Sequence, residues 1–414
     1  MGPVTGGGGH LLLDCEDTAW FRDQPEAARG AAAALGRRIG LGETRTAELV
    51  LAVAELATNV AKHTRDGSIL LRVLRNRDVA GVEVLVTDSG PGMTDVPAAL
   101  RDGTSTAGTL GIGLGAVLRL SDRFDIHSVP GLGTVQLARF WPRPLPSSVT
   151  GEPLVGGITR PISGEDVCGD AWAARTHSID AGSGAARIGE DTGTRRALTP
   201  APTLDWSALT AASATGSALR ASPTRPDGSF RPTVVERPAG TTGTASGPEP
   251  GVLVMACDGL GHGPLAANAS RAAVDAFRAG PGHTPQQVMG DVHRALRGTR
   301  GAAVAIARLE AGGRVEFCGI GNITAAVVSA DKRATLLSHP GIVGHQTRTL
   351  RTYEHRIPPG GVLVMHSDGL SDRWKAADLA SLLHHPPALI AAALLRQAAT
   401  RRDDAGIVVA KGRP

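Results

Sequence analysis

Between Thr46 and Lys62 apolar side chains return every three or four positions, so that Leu49, Val53, Leu56 and Val60 form one stripe. That period predicts an amphipathic helix with one buried face. Farther on the period shortens to two: Val82–Thr87 alternates as a strand and runs into Asp88-Ser89-Gly90-Pro91-Gly92. Ala116–Leu120 is helix-like and follows the glycine-rich stretch Gly108–Gly115. Phe124–Val129 and Thr134–Phe140 predict a hairpin closed by Gly131-Leu132-Gly133. In the second half of the chain the apolar runs Val252–Cys257, Val362–Met365 and Ala405–Ala410 each lie beside aspartate.

These patterns divide the chain. Residues 11–141 alternate strand-like and helix-like segments and predict a first domain. Residues 142–156 are proline-rich and read as a linker. A second domain is expected over residues 157–414, interrupted at about 181–251 by a Gly/Ser/Thr/Ala/Pro-rich insertion. Few large apolar residues occur there, so ordering it would cost more entropy than burial returns, and disorder is expected. No internal repeat is visible.

Composition narrows the picture. A chain of 414 residues is long enough for two cores, and with 42% apolar but only 3% aromatic residues those cores must be mainly aliphatic. A formal charge of +4 and the lack of a Lys/Arg run interleaved with aromatics argue against a nucleic-acid partner. The four cysteines are scattered without CxxC spacing and read as reduced thiols. The N-terminal MGPVTGGGGH lacks the layout of a signal peptide, and no apolar run is long enough to cross a bilayer. A soluble, cytoplasmic protein without a membrane partner is the expectation.

Candidate chemistry in the first domain begins with Glu55 and Asn59, four apart and therefore on one face of the predicted helix. An amide oxygen ligates Mg²⁺, and a carboxylate takes a proton or orients water. Alone the pair carries little, since such residues on a helix flank are usually solvated. Asp88, at a strand end, suits an acceptor for an adenine amino group, with Gly90 and Gly92 letting backbone approach the base. In isolation a plain turn explains them equally well. The glycines of GTLGIGLG at a helix start suit phosphates. A dinucleotide fold is a weaker reading, because no strand directly precedes that loop and no βαβ unit follows.

In this order the three features resemble the GHKL ATPases, the family of histidine kinases, Hsp90-type ATPases and anti-sigma serine kinases. Glu55-x-x-x-Asn59 matches the N box, Asp88-x-Gly90-x-Gly92 the first glycine box, and Gly111-x-Gly113-x-Gly115 the second, in the ATP lid. The similarity is greatest to the small anti-sigma and switch kinases, since Ala27–Ile39 contains no phosphoacceptor histidine. The resemblance implies a Bergerat α/β sandwich that binds ATP, with Asn59 holding Mg²⁺, Asp88 reading adenine and Glu55 deprotonating a protein serine. His63 reads as a cationic cap at the helix end.

In the second domain Asp170, Asp258, Asp368 and Asp403 carry the argument. Asp-Gly at a strand end is a common turn, but its recurrence suggests carboxylates converging on hard divalent cations. The order Gly169-Asp170, Asp258-Gly-Leu-Gly-His-Gly263, Ser367-Asp368-Gly369, Asp403-Asp404 resembles the SpoIIE-type branch of the metal-dependent PPM protein phosphatases. That resemblance implies an α-β-β-α sandwich and two Mn²⁺ or Mg²⁺ ions, with Asp170 and Asp258 bridging them and the Gly259 carbonyl assisting. Asp368 and Asp403 would hold one ion, with Asp404 flanking. Asp170, Asp258 and Asp368 would thereby also count as catalytic, and phosphoserine or phosphothreonine would be hydrolysed without a phosphoenzyme. His262 reads as packing or turn geometry rather than a general acid, and Arg160 is a candidate for substrate phosphate. Gly406 departs from the family, which usually has Thr or Ser there.

The expected class is thus α+β in two domains. Family precedent implies partner switching: a kinase-like domain and a phosphatase acting on the same serine of a STAS-domain protein, with a sigma factor or other switch protein downstream. The alternative is a phosphatase whose first domain only binds ATP and gates it.

Overall fold

Glu43 opens the second helix of the chain and Lys62 and His63 close it, a charge order that complements the helix dipole. A computed structural model of the protein describes residues 11–22, 24–64, 66–76, 79–101, 113–177, 251–345, 350–400 and 402–412. The predicted insertion lies outside these residues except for its last position, Gly251.

The first domain contains β1 (Asp14–Phe21), α1 (Ala27–Arg38), α2 (Glu43–His63), β2 (Ser68–Asn76), β3 (Val79–Asp88), α3 (Val96–Ala99), α4 (Gly113–Leu120), β4 (Arg123–Val129) and β5 (Gly133–Phe140). Its strands form one antiparallel sheet in the order β1-β2-β3-β5-β4. Alternation sorts the side chains into two sets. Ile69, Leu71, Val73, Val82, Val84 and Val86 pack under the helices with Leu49, Val53, Leu56 and Val60, the predicted stripe of α2. Leu70, Leu85, Val135 and Leu137 face the other way. The proline-rich stretch is packed, not loose: Val149 is buried with Leu13, Leu74 and Trp141.

The second domain adds β6 (Val155–Arg160), β7 (Asp170–His177), β8 (Gly251–Gly259), α5 (Pro264–Ala279), α6 (Pro285–Ala295), β9 (Ala302–Leu309), β10 (Arg314–Ile320) and β11 (Thr324–Val328). After them come β12 (Arg333–Leu336), β13 (Ser338–His339), β14 (Tyr353–Arg356), β15 (Val362–His366), α7 (Ala376–Leu379), α8 (Pro387–Ala398) and β16 (Ala405–Lys411). One sheet runs β13-β10-β9-β8-β7, with β14 on β10, and the other β12-β11-β15-β16-β6. They enclose an aliphatic core that includes Val254, Ala305, Phe317, Leu363 and Val408. α5 and α6 cover the outer face of the first sheet through Ala273, Phe277, Val288 and Val292.

α8 covers the second sheet, but it has no wet side along most of its length. Leu389, Ile390, Leu394 and Leu395 are all buried, in one cluster with Ile158, Val364 and Ile407 of its own domain and Leu70, Leu85, Val135 and Leu137 of the first. A helix apolar all round is one sandwiched between two partners. The molecule is therefore a stack: helices, sheet, sheet, α8, sheet, helices. Polar contacts fasten the junction. Trp20 Nε1 donates to Thr159 O at 2.9 Å, and Arg72 Nη1 to Gly157 O at 2.6 Å. Arg72 and Arg139 also clasp the buried carboxylate of Glu83, at 2.5 and 2.7 Å.

Candidate functional sites

The nucleotide-site candidates gather where α2 ends and β3 stops. Glu55 and Asn59 are half-buried on consecutive turns of α2, and His63 is exposed in its last turn. Asp88 closes β3 and is buried, its Oδ1 accepting from Gly90 N at 2.9 Å. Burial raises its carboxyl above the usual range, against hydrogen bonds from the Gly90 and Thr134 backbone and the charge of Arg396. Gly90 lies against the His63 carbonyl, which brings the Asp88 loop to the end of the Asn59 helix. Gly92 has φ +67°, and a Cβ there would come 2.2 Å from Val129 O, so the loop lies directly on the β4–β5 hairpin. Gly131 N donates to Pro91 O at 2.7 Å and Met93 N to Ser128 Oγ at 2.8 Å, tightening that contact. Gly113 begins α4 and Gly115 is buried within it; Gly111 lies outside the described residues.

The acidic set comes from four chain segments. Asp170 opens β7 directly opposite Asp258 on β8. Asp368 follows β15, with Asn322 Nδ2 donating to its Oδ2 at 2.6 Å, and Asp403 precedes β16. Burial, then the nearby Asp258, pushes the Asp170 carboxyl well up, against a hydrogen bond from Ser367 Oγ at 2.5 Å. Burial, then Asp368 and Asp403, pushes Asp258 up to about 7. Among the described residues none of these four carboxylates forms an ion pair with Lys, Arg or His, and no three acidic, His or Cys side chains yet close around one point. Asp258 feels the charges of Asp368 and Asp403, and Asp170 those of Asp258 and Asp368, so the four share one neighbourhood without a cationic partner, and hard oxygen donors of this kind are the ones divalent cations take.

Asp404 is placed differently. Its two oxygens accept from Ile162 N and Gly169 N, both at 2.7 Å, so it fastens the loop before Asp170 and leaves Asp403 as the freer carboxylate. Gly406 has a spatial reason: a Cβ there would come 2.8 Å from the Asp170 Cβ. Ser367 supplies a hydroxyl at this place, bonded to Asp170 and accepting from Gly406 N at 3.0 Å. His262 is exposed, 3.3 Å from Glu165, and Arg160 ends β6 opposite Ala405. Burial pushes the Cys257 thiol up to about 12 and that of Cys168 well above its ordinary value, so neither is poised as a nucleophile. Sequence reasoning missed Ser367, Asn322 and the clamp made by Asp404. Only Ser367, next to Asp368-Gly369, carried a local signal.

A model of the histidine kinase-like ATPase domain matches residues 22–139, and one of stage II sporulation protein E, SpoIIE, matches residues 248–413. The serine/threonine-protein kinase RsbT of Bacillus subtilis (strain 168) is 36% identical over 117 residues, which are 28% of this chain and 88% of RsbT. The chain joins an RsbT-like ATPase-family domain to a SpoIIE-family domain. Solved structures similar to it include the PP2C phosphatase domain, with a fragment of the regulatory domain, of SpoIIE from Bacillus subtilis. That match has a TM-score of 0.39 at 11% identity and covers 80% of this chain and 79% of the other. Another is that of the RsbU and RsbW domains of a Mycobacterium tuberculosis protein, with a TM-score of 0.34 at 21% identity over 40% of this chain and 54% of that one. The SpoIIE-family half has the two-sheet sandwich expected of a PPM domain, and the first half the expected GHKL-type sandwich. Among the described residues no helix is long and apolar enough to cross a membrane.

Proposed function

We propose that the protein is a cytoplasmic, bifunctional partner-switching regulator. Its SpoIIE-family half removes phosphate from a serine or threonine of a STAS-domain protein, and its RsbT-like half uses ATP to put phosphate on. A sigma factor or another switch protein would read the result. The observation that carries the reading is the uncompensated set Asp170, Asp258, Asp368 and Asp403, on a chain that also keeps Glu55, Asn59 and Asp88.

Two Mn²⁺ or Mg²⁺ ions, held by Asp170, Asp258, the Gly259 carbonyl, Asp368 and Asp403, would supply charge neutralisation for phosphate and an acidified water. Ser367 holds the Asp170 carboxylate in its orientation, and Asp404 holds the Gly169 backbone behind it. In the first half Asn59 would hold the Mg²⁺ of ATP, Asp88 accept from the adenine amino group, and Gly90, Gly92, Gly111, Gly113 and Gly115 let backbone approach the nucleotide. Glu55 would take the proton of the acceptor serine. Phosphoryl transfer is mainly positioning and charge neutralisation, so a site this sparse suffices.

Labelled ATP, Mg²⁺ and a candidate STAS protein test the kinase half. Label that reaches the protein and is lost with Glu55→Ala supports it; nucleotide binding without transfer defeats it. That second outcome would favour a gating role for the first domain, a reading supported by the bond that the second domain makes to the back of Asp88.

A further inference from the structure

The last turn of α8 reaches into the nucleotide site from the other domain. Arg396 Nη1 donates to the carbonyl of Asp88 at 3.0 Å and also to the carbonyl of Leu132. The first carbonyl ends β3, and the second lies in the β4–β5 turn, so one guanidinium ties together the two segments between which Asp88 is presented. The fit leaves no slack. Gly133 has φ +97°, and a Cβ there would lie 2.0 Å from Asp88 O and 2.7 Å from Arg396 Nη1.

We propose that Arg396 is a positioning residue of the nucleotide site, supplied by the SpoIIE-family half, and that nucleotide binding is thereby felt by α8. The inference rests on the reading of Asp88 as the adenine-binding carboxylate. Arg396 acts through Asp88: it holds the strand end in register and keeps a positive charge behind a carboxylate whose burial disfavours its charged form. Two residues later the same helix end grips the acidic centre. Ser371 N donates to Ala398 O at 2.8 Å, and Thr400 N to Gly369 O at 2.9 Å, beside Asp368. A ligand that stiffens the Asp88 end of this path stiffens the Asp368 end as well, and linkage makes the influence mutual.

The test uses the full chain. Mg²⁺-ADP binding is measured by calorimetry for the unaltered protein, Asp88→Asn, Arg396→Ala and Arg396→Lys, each with its unfolding midpoint. We expect Arg396→Ala to weaken binding about tenfold, the loss of a charge-assisted hydrogen bond. Arg396→Lys, which keeps a charge and a donor on a differently shaped head, should fall between Arg396→Ala and the unaltered chain. In hydrogen exchange, ADP should slow the amides of Ser371 and Thr400 severalfold in the unaltered chain and not in Arg396→Ala. Unweakened binding by Arg396→Ala and Arg396→Lys, in a protein that Asp88→Asn disables, would overturn the positioning role alone. Equal exchange with and without ADP would overturn the link to α8. Failure of the unaltered chain to bind ADP would overturn the Asp88 reading and this inference together.

Discussion

Two groups of buried or half-buried carboxylates in this molecule meet opposite fates. Glu83 lies between the domains with Arg72 and Arg139 on either side. Burial alone would push its carboxyl up, but the two guanidiniums outweigh burial and hold it below the usual range. Asp170 and Asp258 are carboxylates of the same chemistry, yet their charged neighbours are other carboxylates, and both are pushed up. The contrast separates structure from chemistry. An assembly that satisfies itself is a joint; one that cannot satisfy itself is prepared for a ligand of opposite charge.

The largest test of that contrast is Asp258→Asn. It should lower Mn²⁺-dependent phosphoserine hydrolysis on the order of 10⁴-fold or more, while the chelator-treated protein unfolds at a higher temperature than the parent because one repelling charge is gone. Retained activity would break the assignment of the centre.

At the joint the sign reverses. Glu83→Ala should cost about 3–5 kcal/mol in denaturant unfolding, because it leaves two buried guanidiniums without their anion. A loss well under 1 kcal/mol would show that the joint is not self-contained. Asp404→Ala should cost somewhat less, about 2–4 kcal/mol, by orphaning the half-buried Ile162 and the buried Gly169 amides. Asp403→Ala should leave stability nearly unchanged and weaken Mn²⁺ binding, as measured by calorimetry.

A more modest effect is the pH dependence. A carboxyl raised to about 7 in the folded chain holds its proton more tightly than in the unfolded one. Stability of the metal-free protein should therefore fall as pH rises from about 4 to about 7, by roughly 1–3 kcal/mol. Glu83, held low, gives the opposite dependence: its contribution is present above the ordinary carboxylate range and lost as pH falls through its folded value. Unfolding midpoints at pH 5 and 8 in chelator, compared between the parent and Asp258→Asn, isolate the first term. A flat difference would refute it.

Much of the scaffold was legible because its signals are local. The stripe of α2, the alternation of β3 and the hairpin around Gly131-Leu132-Gly133 follow from periods of 3.6 and 2 within a few residues. Asp88, Asp258, Asp368 and Asp403 were visible beside apolar runs, and Asp170 only through its Gly169-Asp170 pair. What could not be read was which partner each would meet. Arg396 and Asp88 are 308 residues apart, and Asp404 and Gly169 are 235 apart. No local pattern in Asp403-Asp404 shows that the second carboxylate is spent on two backbone amides. The composition of α8, Leu-Ile-Ala-Ala-Ala-Leu-Leu, is that of a helix with no exposed face, a signal present in the sequence but without an address.

That helix has a consequence for how such a protein can be divided. Severing the chain within residues 142–154 would leave α8 bare on one piece and the Leu70, Leu85, Val135 and Leu137 face bare on the other. Each fragment would carry an adhesive surface where it now has an interior. A fusion built this way is not two tools on one handle. The sheet and the helix are fitted to each other, so a substitution on either face is felt by both halves.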